Sequence, residues 1–137
     1  MNWKLIFQLS LFGLAMAFAT VYWIPPHWEP AFWIVIFVIC AYCIAKRCSG
    51  KFFLHGLLLG IANSIWITAV HLLLAKTYLA NHPEEADMMT RMPWPKHPRI
   101  LMAVTGPFVG VISGIILGIF ALIASKIQKR GTVSGVR

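Results

Sequence analysis

The chain has 137 residues, enough for one domain, and 59% of them are hydrophobic while 12% are charged. Soluble proteins average roughly 45–50% apolar and about 25% charged residues, so this composition excludes a soluble monomer. The formal net charge is +8, but the basic residues are distributed as in a membrane protein, and we expect no nucleic-acid partner.

Four apolar runs follow one another along the chain, and a bilayer-spanning helix needs roughly 20 such residues. They predict helices at about 4–24, 30–47, 52–79 and 100–126. The predicted fold is therefore an all-α integral membrane protein, a four-transmembrane-helix bundle in a single domain, 1–137. The second run is the shortest, and it spans the bilayer only if Lys46 and Arg47 extend their side chains to the headgroups.

The first run, Leu5 to Ile24, has a second interpretation. Lys4, the apolar stretch and the small-residue pattern Ala15-Met16-Ala17 or Ala17-Phe18-Ala19 also resemble a secretory signal peptide, whose cleavage would remove residues up to 19. The apolar run continues past that site to Ile24, and we expect an uncleaved helix.

Prolines separate the helices, because proline lacks an amide donor and its ring clashes in a helix interior. The first connection is predicted to be a tight hairpin that contains Pro25, Pro26 and Pro30. The approach to the fourth helix is predicted to be extended, and it contains Pro93, Pro95 and Pro98.

Charge gives the predicted orientation. Eight of the twelve basic residues fall on one side of a four-pass topology: Lys4, Lys46, Arg47, Lys51, Lys126, Lys129, Arg130 and Arg137. The other side receives four basic and all four acidic residues: Lys76, Arg91, Lys96, Arg99, Glu29, Glu84, Glu85 and Asp87. Basic segments stay in the cytoplasm, so both termini are predicted to be cytoplasmic, with a cytoplasmic tail at 127–137 and an outer loop at 80–99. We expect a multi-pass protein of a cell membrane, and the bacterial inner membrane is the location that we expect first.

Glycines recur every four residues in the fourth helix. They are Gly106, Gly110, Gly114 and Gly118, and Gly56 and Gly60 form a matching series in the third helix. Glycine at this spacing lets another helix approach closely. We therefore expect a glycine zipper, in which the two series pack the third and fourth helices against each other. The alternatives are a seam between copies of the chain and the lining of a pore.

The third helix also carries the polar side chains Asn63, Ser64, Thr68 and His71. Such groups are costly in lipid and usually face the interior of a bundle. One interpretation makes them a ligand or proton-relay site, in which His71 titrates near neutral pH. The other makes them structural, with Asn63 and His71 bonded to backbone carbonyls or to Ser113. We expect no Asp or Glu inside any span, so transport would have to use histidine.

The outer loop is predicted to contain a short interfacial helix before the fourth helix. Asn81 with Glu84 three residues later has the pattern of a capping box, and Pro83 suits a first helical turn. The candidate partner surface of this loop consists of Glu84, Glu85, Asp87, Met88, Met92 and Trp94. His82 and His97 lie near these acids, but the spacing matches no established ligand pattern, and we predict no metal site and no cofactor.

Two families of small membrane proteins can be compared with this chain. The size of the chain is similar to that of the small multidrug exporters, but that family has an acidic residue in its first helix, where this chain offers Gln8, Ser10 and Thr20, and we reject the identification. Thr105-Gly106-Pro107, leading into the glycine series after a proline-rich loop, resembles the small four-helix proteins of bacterial inner membranes whose function is uncharacterised. The resemblance covers about the last third of the chain and implies no activity.

The sequence contains no nucleophile elbow, phosphate loop or metalloprotease signature. We expect a non-enzymatic accessory or assembly subunit that packs through its glycine series and meets a partner through the outer loop. The alternative is a homo-oligomeric transporter or channel for a small solute or ion, working through His71, Asn63 and Thr68. A membrane-embedded enzyme is the third and least expected class. The expected partners are the lipid bilayer and the helices of a second copy or of another membrane protein.

Overall fold

The structure is a computed structural model that describes residues 1–94 and 96–135. Over these residues it has six helices: α1 (Trp3–Tyr22), α2 (Glu29–Arg47), α3 (Phe52–Leu73), α4 (Ala75–Asn81), α5 (Pro83–Thr90) and α6 (Pro98–Ser134). Four of them, α1, α2, α3 and α6, are long and apolar enough to cross a membrane. This confirms the predicted all-helical class with four candidate spans. The roles expected of Pro95 and Arg137 lie outside the described residues.

Helix α3 is central in the bundle, because it packs against α1 on one side and against α6 on the other, while α2 packs mainly against α6. One end of the bundle, called here the basic end, carries the N-terminus and the α2–α3 loop. The backbone amide of Asn2 donates to Nε2 of His55 at 2.9 Å, and Nδ1 of His55 lies 2.8 Å from the carbonyl of Lys51. These bonds hold the N-terminus beside the start of α3. The opposite end, with α4 and α5, is called the α5 end.

The apolar interior divides into two clusters along the bundle axis. The cluster nearer the basic end joins all four long helices and includes Leu9, Ile44, Leu59 and Leu117. The cluster nearer the α5 end joins α1, α3, α4 and α6: Ala17, Val21, Val70, Ala75, Tyr78 and Met102. Large apolar side chains also cover the outside of the four long helices, as a surface solvated by acyl chains requires.

The predicted third helix, 52–79, is interrupted at Leu74, so that α3 ends at Leu73 and α4 is a separate short helix. Neither proline nor glycine lies at this break, and local sequence therefore gives no warning of it. Tertiary contacts provide the reason: α4 packs against α1, and Nδ2 of Asn81 donates to the carbonyl of Val21 at 2.7 Å.

The outer loop and the tail also differ from their predicted forms. The side chain of Asn81 is bonded to α1, and the residue before α5 is His82, which makes no side-chain capping bond, so the predicted capping box is wrong. Helix α6 continues into the predicted cytoplasmic tail, 127–137, and ends at Ser134. At about 1.5 Å per residue, the 37 residues of α6 extend roughly 55 Å, well beyond a hydrocarbon core of about 30 Å.

Candidate binding cavity within the bundle

Close contact between α3 and α6 positions the site. Gly56 lies against Gly118, and Gly60 lies against Gly114, so that a Cβ atom added to Gly56 would be 2.5 Å from the Cα of Gly118. Further toward the α5 end, the side chains of Ser64 and Thr68 occupy the space over Gly110 and Gly106. The two series therefore meet within one chain. The hydroxyl of Ser64 donates a hydrogen bond to the carbonyl of Ile61 at 2.8 Å.

A cavity of about 610 Å³ lies between α2, α3 and α6 toward the α5 end. It brings together the four polar residues that the sequence singled out: Asn63, Ser64, Thr68 and His71. Phe37 and Phe120, which also line it, meet edge to face with ring centroids 6.3 Å apart, on its side nearer the basic end. Two lining side chains, Ile34 and Val109, are 59% and 56% exposed. The cavity is thus open between α2 and α6, on the face that meets lipid.

Asn63 and His82 are buried polar residues with unmet hydrogen-bonding capacity, and of the two Asn63 contributes to the lining of the cavity. Asn63 is 3% exposed, and its amide oxygen packs against Gly13 of α1. Neither its amide nitrogen nor its amide oxygen has a hydrogen-bond partner among the residues that the structure describes. A buried polar group left in this state costs about 1–3 kcal/mol. The structural interpretation, in which Asn63 is bonded to a carbonyl or to Ser113, therefore does not describe this residue.

His71 is held by contacts with α1 and α4. Its Nε2 lies 3.1 Å from Oγ1 of Thr20, whose hydroxyl is also 3.1 Å from the carbonyl of Ala17. Its ring stacks on Tyr78 at 4.1 Å between centroids, and Tyr78 stacks in turn on His82 at 4.2 Å. His71 therefore has hydrogen-bond and stacking partners, unlike Asn63, and its partners are not the ones that the sequence suggested.

Two carboxylates line the same cavity, one from the first residue of a candidate span and one from outside the four candidate spans. Glu29 is the first residue of α2, and its Oε1 accepts a bond from Nε1 of Trp33 at 3.2 Å. Glu85 comes from α5 and accepts a bond from the hydroxyl of Tyr78. Burial, followed by this bond, raises the pKa of Tyr78 above its ordinary value. All three residues line the cavity with Trp33 and Met89.

Because Glu85 lines the cavity, the candidate partner surface of the outer loop also differs from the predicted one. Asp87 and Met88 are exposed on α5, and Asp87 pairs with Arg91 at 2.8 Å. Trp94 is exposed after α5, while Met92 is partly covered. The predicted surface thus retains Glu84, Asp87, Met88 and Trp94 as outward-facing members and loses Glu85.

Sequence alone assigns Glu29 and Glu85 to the outer side and indicates that Tyr78 and Trp33 are interfacial aromatic residues rather than parts of a site. One signal was present in the sequence: all four acidic residues fall on the same side of the predicted four-pass topology, although the chain has a net charge of +8. The spacing of four residues between Glu29 and Trp33 also places both on one helix face. Among residues 1–94 and 96–135, no group of three or more His, Cys, Asp or Glu side chains is arranged to hold a metal ion.

No protein-family model matches the chain, and no curated protein or solved structure is significantly similar to it. The functional argument therefore depends on the geometry of the cavity.

Proposed function

We propose that this membrane protein binds one small amphipathic molecule in the cavity between α2, α3 and α6, as a carrier of the transporter class would. The observation that carries the proposal is the cavity itself, which is open between α2 and α6 and has Asn63, Ser64, Thr68 and His71 on a mostly apolar lining. Ligand sites are typically about 300–1,000 Å³, mostly apolar, and contain a few polar groups that orient the ligand. A cavity of about 610 Å³ lies within this range.

The shape of the site favours an amphipathic ligand that enters from the bilayer. Asn63 and His71 are eight residues apart on α3, about 12 Å along the helix axis. The apolar side chains of Ile34, Phe37 and Val109 line the cavity, and polar groups lie at its depth and at its α5 end. An elongated molecule with an apolar body can occupy the cavity while its hydrogen-bonding group lies among the polar residues of the lining.

Orientation and location are part of the proposal. The excess of Lys and Arg at the basic end supports cytoplasmic termini, and the α5 end then faces outward. The bacterial inner membrane is the proposed location, and we propose no enzymatic activity. The role of accessory subunit remains a second proposal, supported by the exposed side chains of Met88 and Trp94 beside α5.

Binding of 1-octanol, an uncharged amphiphile, tests the proposal. Purified protein in neutral detergent is titrated calorimetrically, with protein-free micelles as the reference. We expect one site per chain in the wild type and loss of binding in Val109→Trp, because the indole fills the opening. Val111→Trp is the matched control, because Val111 is also an exposed valine of α6 but does not line the cavity. Equal heats with and without protein, or equal binding by both variants, would refute the proposal.

A further inference from the structure

We infer that the occupant of the cavity is an organic cation, an apolar body with an ammonium group that lies between Glu29 and Glu85. The inference rests on the proposed function and names the chemical class of its ligand. Its basis is the charge of the lining: Glu29 and Glu85 both contribute carboxylates, and the described lining residues include no lysine or arginine.

The two carboxylates share one site. One is on α2 and the other is on α5, and both line the same cavity. Like charges in a partly desolvated site are unfavourable unless an opposite charge accompanies them. Each carboxylate accepts one hydrogen bond from the protein, from Trp33 or from Tyr78, and has further lone pairs for a ligand.

An aromatic ring adds to the site for a cation. Trp33 lines the cavity beside Glu29, the carboxylate that it bonds, whereas the faces of Tyr78 are covered by His71 and His82. The face of an indole ring attracts an ammonium group, and the attraction is stronger where water is excluded. The apolar wall formed by Phe37 and Val109 then accommodates the body of the ligand. An anion would meet two like charges in the same place.

Three probes of equal chain length separate charge from apolar binding: octyltrimethylammonium, octanesulfonate and 1-octanol. The two charged probes are titrated into purified protein below their micellar concentrations, and 1-octanol is titrated below its solubility limit. We expect octyltrimethylammonium to bind at least about tenfold more tightly than 1-octanol, and octanesulfonate to bind most weakly, because one charge-assisted contact is worth about 1.5–3 kcal/mol. Glu29→Gln and Glu85→Gln should each weaken binding of the cation by about 10- to 100-fold. Neither should change binding of 1-octanol by more than a few-fold.

Glu84→Gln is the matched control, because Glu84 neighbours Glu85 on α5 but is exposed and does not line the cavity. It should bind all three probes as the wild type does. If the three probes bind with similar affinity and Val109→Trp removes them all, the cavity binds a ligand but the assignment of a cation is refuted. If no probe binds the wild type, the proposed function is refuted as well. Loss of cation binding in Glu84→Gln to the same extent would assign the effect to general surface charge and overturn the inference.

Discussion

The contact between α3 and α6 makes a quantitative prediction for Gly60→Ala. The added Cβ would lie 2.5 Å from the backbone nitrogen of Gly114, whereas non-bonded heavy atoms prefer about 3.5–4.0 Å. The obstructing atom belongs to a helix backbone and cannot rotate away, so α3 and α6 must separate by about 1 Å. Overpacking of this kind costs about 1–3 kcal/mol, and we expect the upper part of that range. Alanine returns up to about 1 kcal/mol of helix propensity, which leaves a net loss of about 2 kcal/mol.

Gly131→Ala is the matched control, because a Cβ at Gly131 of α6 has no heavy atom within 4 Å. This variant should be neutral or more stable by up to about 1 kcal/mol, since only helix propensity changes. The measurement is the free energy of unfolding from a titration of detergent-solubilised protein with dodecyl sulfate, followed by tryptophan fluorescence. The two variants should differ by about 3 kcal/mol. Equal stability of Gly60→Ala and Gly131→Ala would mean that the helices do not meet at these glycines.

Three further predictions concern Tyr78, Asn63 and orientation. Tyr78→Phe should lose about 1.5–3 kcal/mol in the same titration because Glu85 loses a donor, whereas Tyr22→Phe should not, since Tyr22 is exposed. Because the pKa of Tyr78 is raised in the fold, its neutral phenol stabilises the protein below pH about 10; this stabilisation declines as the pH rises further, and the decline should be weaker in Tyr78→Phe. Asn63→Leu should raise the free energy of unfolding by about 1–3 kcal/mol, because it removes an unpartnered amide. Asn81→Leu should lower it by about 1 kcal/mol, because the bond to Val21 is lost. A lower free energy of unfolding in both variants would show that Asn63 has a stabilising partner. In a cysteine-free chain, Thr90→Cys should react with an impermeant thiol reagent in intact cells and Gly131→Cys only in inverted vesicles; reaction of both from one side would contradict the proposed topology.

Much of the fold follows from local sequence. Long runs with few charges can satisfy their backbone amides in lipid only as helices, so the four candidate spans were predictable. The spacing of Gly56 and Gly60 against Gly114 and Gly118 likewise indicated which two helices approach most closely, because small residues permit that approach. The break at Leu74 was not predictable, because it depends on the packing of α4 against α1. The apolar run predicts a helix only to about residue 126, whereas α6 continues to Ser134, because the end of an apolar run marks the edge of a span and not the end of a helix.

The cavity shows where sequence alone stops. Sequence determined that Asn63, Ser64, Thr68 and His71 occupy the middle and one end of an apolar helix, because hydropathy and helical spacing are properties of neighbouring residues. Only tertiary structure decided which of them are satisfied: His71 has Thr20 and Tyr78, whereas Asn63 has no partner. Residues seven apart on a straight helix are separated by about 10 Å along its axis, so the stacking of Tyr78 on His71 requires the turn at Leu74. The same turn precedes α5, which brings Glu85 to the cavity that Glu29 reaches from α2, and no local pattern specifies contacts between segments so far apart in the chain.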